Sequence, residues 1–134
     1  MYDNEILIDL LNKTLDCLNK IQTRSESISL ASDLTNSPEG IERLDLLCMP
    51  LIMIGELVKK IDRITDQSLL KNYPATPWGE IKGMRDIVVH DYFNIDAEEI
   101  FNTCKEDIPK LTEAITVIIS DLKKDPLLGG HQDE

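Results

Sequence analysis

The chain has 134 residues, of which 42% are hydrophobic and 29% charged but only 4% aromatic. That is one domain's length, enough to bury a core, and a composition rich in Leu, Ile, Glu and Lys favours helices over a sandwich or barrel. The net charge of −11 argues against a general nucleic-acid binder, because phosphate neutralisation is what gives such proteins their affinity; an enzyme needs only a local basic pocket, and an acidic body also suits a basic partner surface.

The opening stretch MYDNEILIDL is acidic and has no basic region ahead of an apolar run, so it does not read as a signal peptide. Residues 4–22 place Ile6, Leu7, Leu10, Leu11, Thr14, Cys17, Leu18 and Ile21 at helical spacing, which predicts an amphipathic helix. Residues 23–36 lose that period and are rich in Ser, Thr and Asp, the mark of a loop or a short irregular helix. Ser37-Pro38-Glu39 then supplies an N-cap, a proline at the first helical position and an acid in the first turn. The helix it starts is expected to reach about Ile64. Pro50 inside it predicts a kink, and its middle, apolar nearly all round, suits the central helix of a bundle.

A short helix is expected over 66–72, followed by a loop at Asn72-Tyr73-Pro74-Ala75. Thr76-Pro77-Trp78 repeats the cap-and-proline start and predicts a helix from Trp78 to about Phe93. Asp96 with Glu99 forms a further capping pair, opening a last helix over roughly 97–124 in which Pro109 is a point of kinking or division. The tail 125–134, with Pro126 and Gly129-Gly130, is expected to hang free of a single domain spanning 1–124. The fold class is therefore all-α, an antiparallel bundle of four to five helices. Cys17, Cys48 and Cys104 contain no CxxC pair and read as buried thiols in a reducing compartment, not a disulfide frame or zinc site. The longest apolar run, Leu46 to Ile54, is too short for a bilayer. The expected location is cytoplasmic, with no membrane contact.

Catalytic motifs are sparse. There is no glycine-rich phosphate loop, no histidine pair at metal spacing and no GxSxG, so neither a metal nor a cofactor is expected. Only His90 and His131 occur, and His131 is in the tail, so histidine-based acid–base chemistry falls on His90. Asp86 lies four residues before His90 on the same helical face, suitably placed to accept from one ring nitrogen and raise the basicity of the other. On one straight helix, Arg85 and His90 diverge by about 140° while Arg85 and Tyr92 nearly eclipse. A lone histidine among Ile87, Val88 and Val89 is also what a packed, satisfied core residue looks like. Arg85 then becomes a surface ion-pair partner, and Tyr92-Phe93 ordinary helix-end packing. Spacing alone does not decide for an enzyme.

The ordered series Ile54-Gly55-Glu56-Leu57-Val58-Lys59-Lys60, Pro77-Trp78, Ile81-Lys82-Gly83-Met84-Arg85 and His90-Asp91-Tyr92-Phe93 resembles the HepT-like toxins of the HEPN superfamily. Their Arg-x4-His-x-Tyr hallmark is matched by Arg85, His90 and Tyr92, and Asp96, Ile108-Pro109 and Leu111 also fit, so that the likeness spans about residues 5–124. The residue after the arginine is commonly Asn in that family and is Asp86 here, an acid that opposes phosphate unless Arg85 or His90 neutralises it. The resemblance implies a homodimer or higher even oligomer, with the motifs facing across a two-fold axis. It also implies metal-independent cleavage of RNA, tRNA being a candidate substrate. In that scheme His90 is the general acid/base, Arg85 binds phosphate, Asp86 orients His90 and Glu56 buttresses Arg85. The resemblance further implies a partner, a small nucleotidyltransferase antitoxin that transfers AMP onto Tyr92. Two other readings stay open: a non-catalytic helical regulatory partner of such a nucleotidyltransferase, and a purely structural dimeric bundle.

Overall fold

The structure is a computed structural model that describes residues 3–89 and 94–124. Helix α1 (Asn4–Ser25) is capped by Asp3, whose carboxylate accepts from the Glu5 N–H at 2.8 Å. Its buried face is Leu7, Leu10, Leu11, Thr14, Leu18 and Ile21. Ile6 stands about 90° from the centre of that face and is exposed, and Cys17, about 70° off, is half-buried. The helix runs three residues beyond the periodic stretch, and a single 3₁₀ turn, Ala31–Leu34, then buries Leu34.

Helix α2 (Pro38–Ile64) starts as its sequence predicts, with the Ser37 hydroxyl oxygen accepting from the Gly40 N–H at 3.0 Å. The helix continues through Pro50. A proline has no N–H for the carbonyl four residues back, and here the orphaned Leu46 carbonyl accepts instead from the Arg24 guanidinium of α1 at 2.8 Å. That contact ties the end of α1 to the first half of α2.

The expected short helix at 66–72 is reduced to one 3₁₀ turn, Leu70–Asn72. Asp66 and Gln67 adopt left-handed backbones, φ 52° and 62°. Their N–H groups return to the Arg63 and Asp62 carbonyls at 3.1 and 2.8 Å, the closing bonds of a Schellman end. A left-handed pair cannot begin a new right-handed helix.

The helix expected over 78–93 is also interrupted. Helix α3 (Trp78–Lys82) stops at Gly83 and α4 (Met84–Val89) follows. Pro77, not Thr76, occupies the cap position, and no side chain caps α3. The last element divides as Pro109 suggested: α5 (Ala97–Asn102) is capped by Asp96, which accepts from the Glu99 N–H at 3.2 Å, and passes through a π turn, Thr103–Asp107, into α6 (Ile108–Lys124). The widened turn ends at Asp107, two residues before Pro109, where the i→i−4 ladder loses a donor.

The described residues thus form four helical bodies and no strand: α1, α2, the α3–α4 pair and the α5–α6 pair. Helix α1 packs on α2 and α6, and α2 also carries α3 and α4. The core between them is aliphatic, with Leu7, Leu11, Leu18, Leu51, Ile54, Ile61 and Ile108 fully enclosed. Cys48 and Cys104 lie in it, and desolvation pushes their thiols up to about 11 and about 12, leaving them protonated and poor nucleophiles at neutral pH. Among the described residues no helix is long and apolar enough to cross a membrane.

Candidate functional site

Arg85 sits exposed in the first turn of α4, with exposed Asp86 beside it. Two devices hold the α3–α4 joint on α2. The first is Gly55: a Cβ there would come within 3.2 and 3.3 Å of the Lys82 and Ile81 carbonyl oxygens and 3.5 Å of the Arg85 nitrogen. Only a glycine lets α2 approach that closely without crowding. The second is the ion pair between Lys82, the last residue of α3, and the nearly buried carboxylate of Asp62 on α2. Arg85 is therefore positioned by main-chain contact rather than by a partner for its guanidinium. Among the described residues it has no ion pair, and Glu56, one residue from Gly55, lies 3.5 Å from Lys59 instead.

His90 and Tyr92 lie outside the described residues, as do the Asp86–His90 hydrogen bond expected above and the His131 tail.

The Pro77-Trp78 segment is tied down from behind. The Trp78 indole N–H donates to the Tyr73 carbonyl at 3.0 Å, and the Tyr73 hydroxyl donates to Asp121 of α6 at 2.7 Å. Burial, and then the adjacent Asp121, hold the phenol well above its ordinary value. Tyr73 has no motif in the sequence; its role as a strut between the loop and α6 depends on a partner 48 residues away.

Two cavities flank the joint. One, of about 790 Å³, lies between α3–α4 and α5–α6; its floor includes Ile81, Met84 and Leu111, and its walls carry Glu80, Glu98 and Asp107. The other, of about 240 Å³, lies on the α2 side and is lined by Lys59, Asp62, Arg63, Asp66, Gln67 and Lys82. Sequence reasoning passed over Asp62 and Arg63 and gave Lys82 no role beyond its place in the motif series, because their neighbourhood is made by the fold. A third surface feature is an apolar stripe on α2, where Leu46, Met49 and Met53 are 47%, 62% and 41% exposed. They recur at i, i+3 and i+7 and so share one face. Glu56 continues that side of the helix toward the joint.

A helical domain that presents an arginine from a short helix set on a central one, with His-x-Tyr five residues further along the chain, is a HEPN-type domain. The chain belongs to the ribonuclease HepT-like family, whose sequence model matches residues 5–118. It is 38% identical over 74 residues to "Putative RNase MJ0125" of Methanocaldococcus jannaschii, covering 55% of this chain and 60% of that protein. It is 39% identical over 61 residues to "Probable ribonuclease HepT" of Thermococcus cleftensis, covering 46% of this chain and 52% of the relative. A further relative, "Putative RNase TTE0752" of Caldanaerobacter subterraneus, is 33% identical over 73 residues, 54% of this chain and 62% of that protein. The chain thus spans less than two thirds of the length of these curated relatives. No solved structure matches it.

Proposed function

We propose that this protein is a metal-independent endoribonuclease toxin that works as a homodimer and cleaves RNA, with tRNA a candidate substrate. The observation that carries this reading is Arg85: an exposed guanidinium without an ion pair among the described residues, fixed by its backbone against α2. Its fork of donors suits a phosphate. Cleavage by transesterification needs a base to take the 2′-OH proton, so that the 2′-oxygen attacks phosphorus. It also needs an acid to protonate the departing 5′-oxygen and positive charge on the phosphorane between them. One chain offers one histidine outside its tail, half of that acid–base set. Two chains related by a two-fold axis supply two His90 imidazoles and two Arg85 guanidiniums. The exposed stripe Leu46, Met49 and Met53, on the helix that also carries Arg85's support, is the surface suited to that association. Asp86 orients His90; Glu56, which lies 3.5 Å from Lys59, would have to leave that lysine to buttress Arg85 and is the weaker part of the scheme.

The test is RNA cleavage in EDTA. The parent protein is expected to cut total tRNA, and His90→Ala or Arg85→Ala to lose at least about a hundredfold in rate. Undiminished cutting by His90→Ala would end the proposal.

The partner in this reading is a nucleotidyltransferase antitoxin that places AMP on Tyr92, adding anionic groups that repel RNA phosphate and fill the cleft. Incubation with the partner enzyme and ATP should add AMP mass to the parent and none to Tyr92→Phe. Mass gain on that variant would reject Tyr92 as the acceptor. One observation favours the alternative of a non-catalytic regulatory partner of the nucleotidyltransferase: the acid-walled groove beside α3–α4 suits a basic protein surface better than RNA. Absence of cleavage by the parent, with partner binding retained, would select it.

A further inference from the structure

In a chain of net charge −11, a cluster of basic side chains gathers where the α3–α4 joint sits on α2, matched by the acids Glu56, Asp62, Asp66, Glu80 and Asp86 of the same segments. Lys59, Lys60, Arg63, Lys82 and Arg85 are five of its 14 basic residues, and all belong to one stretch of α2 and the α3–α4 joint seated on it. Lys59, Arg63 and Lys82 line the 240 Å³ pocket, where they outnumber the carboxylates of Asp62 and Asp66. These five groups are not equally available. Asp62 and Lys82 neutralise one another, and Lys59 is only loosely held by Glu56 at 3.5 Å. Arg63 is exposed and has no ion pair among the described residues. With the Asp62–Lys82 pair set aside, the lining keeps a guanidinium and an ammonium against one acid, Asp66, and the second acid nearby, Glu56, stands outside the lining, where an anion has to displace it from Lys59.

The direction of the pocket matters as much as its charge. Gly55 marks where Arg85 meets α2. Lys59 and Arg63 follow one and two turns later, about 6 and 12 Å along the helix axis, and at about 40° and 80° round it they stay on the side that faces the joint. A polynucleotide whose scissile phosphate sits at Arg85 therefore has its neighbouring phosphates within reach of this pocket. A basic groove tracking the backbone beside the reacting centre is how single strands are held without reading sequence.

We propose that the pocket formed by Lys59, Arg63 and Lys82 is a phosphate subsite that holds the RNA backbone about one or two nucleotides from the bond cleaved. This rests on the ribonuclease reading and adds to it where the substrate runs. The experiment measures binding of a labelled single-stranded RNA oligonucleotide to the His90→Ala protein, which is expected not to cut it, over a range of salt. Adding K59Q and R63Q should weaken binding about tenfold near 0.1 M salt. Each lost phosphate contact should also lower the steepness of log Kd against log salt by about 0.7. Asp66→Asn, which removes the opposing acid and tolerates the left-handed backbone, should bind more tightly than its parent. Lys13→Gln, an exposed charge removed from α1, is the control and should change neither quantity.

If the double variant binds as tightly and with the same salt dependence as its parent, the subsite is refuted, while cleavage by the unmutated chain leaves the ribonuclease reading intact. If the unmutated chain neither binds nor cuts RNA, the ribonuclease reading itself fails and the subsite with it.

Discussion

At the scale of single residues, two glycines on neighbouring elements separate conformational economy from geometric need. Gly79 in α3 has nothing within 4 Å of an added Cβ, whereas Gly55 in α2 faces two main-chain carbonyls at 3.2 and 3.3 Å. Replacing glycine by alanine inside a helix contributes up to about 1 kcal/mol, and Gly79→Ala should keep most of that. Gly55→Ala gains the same propensity but crowds carbonyls that the Lys82–Asp62 pair prevents from swinging away, and overpacking of this kind costs about 1–3 kcal/mol. The net expectation is a loss of about 1 kcal/mol by urea unfolding. The catalytic effect should be larger than the stability effect. The relieved contact shifts the α3–α4 joint and Arg85 with it, and displacement of a positioning group by a fraction of an ångström costs roughly tenfold in rate. A Gly55→Ala protein that unfolds earlier yet cuts RNA at the parent rate would show that Arg85 is not held by this contact.

At the scale of elements, α2 survives an internal proline because α1 supplies the missing donor. Removing Arg24 leaves the Leu46 carbonyl without its charged partner. That carbonyl is near the surface and regains water, so Arg24→Met should cost only about 1 kcal/mol. Pro50→Ala restores an N–H at the right position, so in that background Arg24→Met should cost measurably less. The double-mutant cycle should show coupling of roughly 0.5–1 kcal/mol, and additive changes would mean the guanidinium does not serve the proline. Sequence reading reached the proline but not its remedy, because the donor lies 22 residues away. The same limit explains the rest. Ser37 and Asp96 were legible as caps because their partners are three residues off. The halt at Gly83 was not, since Ile81 to Val89 keeps apolar residues at spacings that also fit one unbroken helix. Nor was the left-handed Asp66-Gln67 pair, which uses two residue types that carry no glycine signal. Of the site, Arg85 was legible as a motif, but its support by Gly55 and the Asp62–Lys82 pair required two elements to meet in space.

At the scale of the whole molecule, charge and apolar surface pull in opposite directions, and the balance is testable. Two copies that associate through Leu46, Met49 and Met53 gain from covering methionine and leucine side chains. Each copy brings a net charge of −11, so the pair must also overcome repulsion between two acidic bodies. Salt screens that repulsion, the Debye length falling from about 10 Å at 0.1 M to about 3 Å at 1 M, while leaving apolar burial largely intact. The dimer should therefore tighten as salt is raised. RNA binding should do the reverse, because counterions compete with Arg85 and its basic neighbours for phosphate. Sedimentation at dilute protein should show the dimer fraction rising from 0.05 to 0.5 M salt while RNA affinity falls over the same range. The substitution Met49→Glu places a new acid on each facing stripe and should give a monomer at all these concentrations that has lost cleavage. A chain that stays monomeric at every salt concentration and still cuts RNA would disprove the shared active site, and one that dimerises equally well with Met49→Glu would move the interface away from α2.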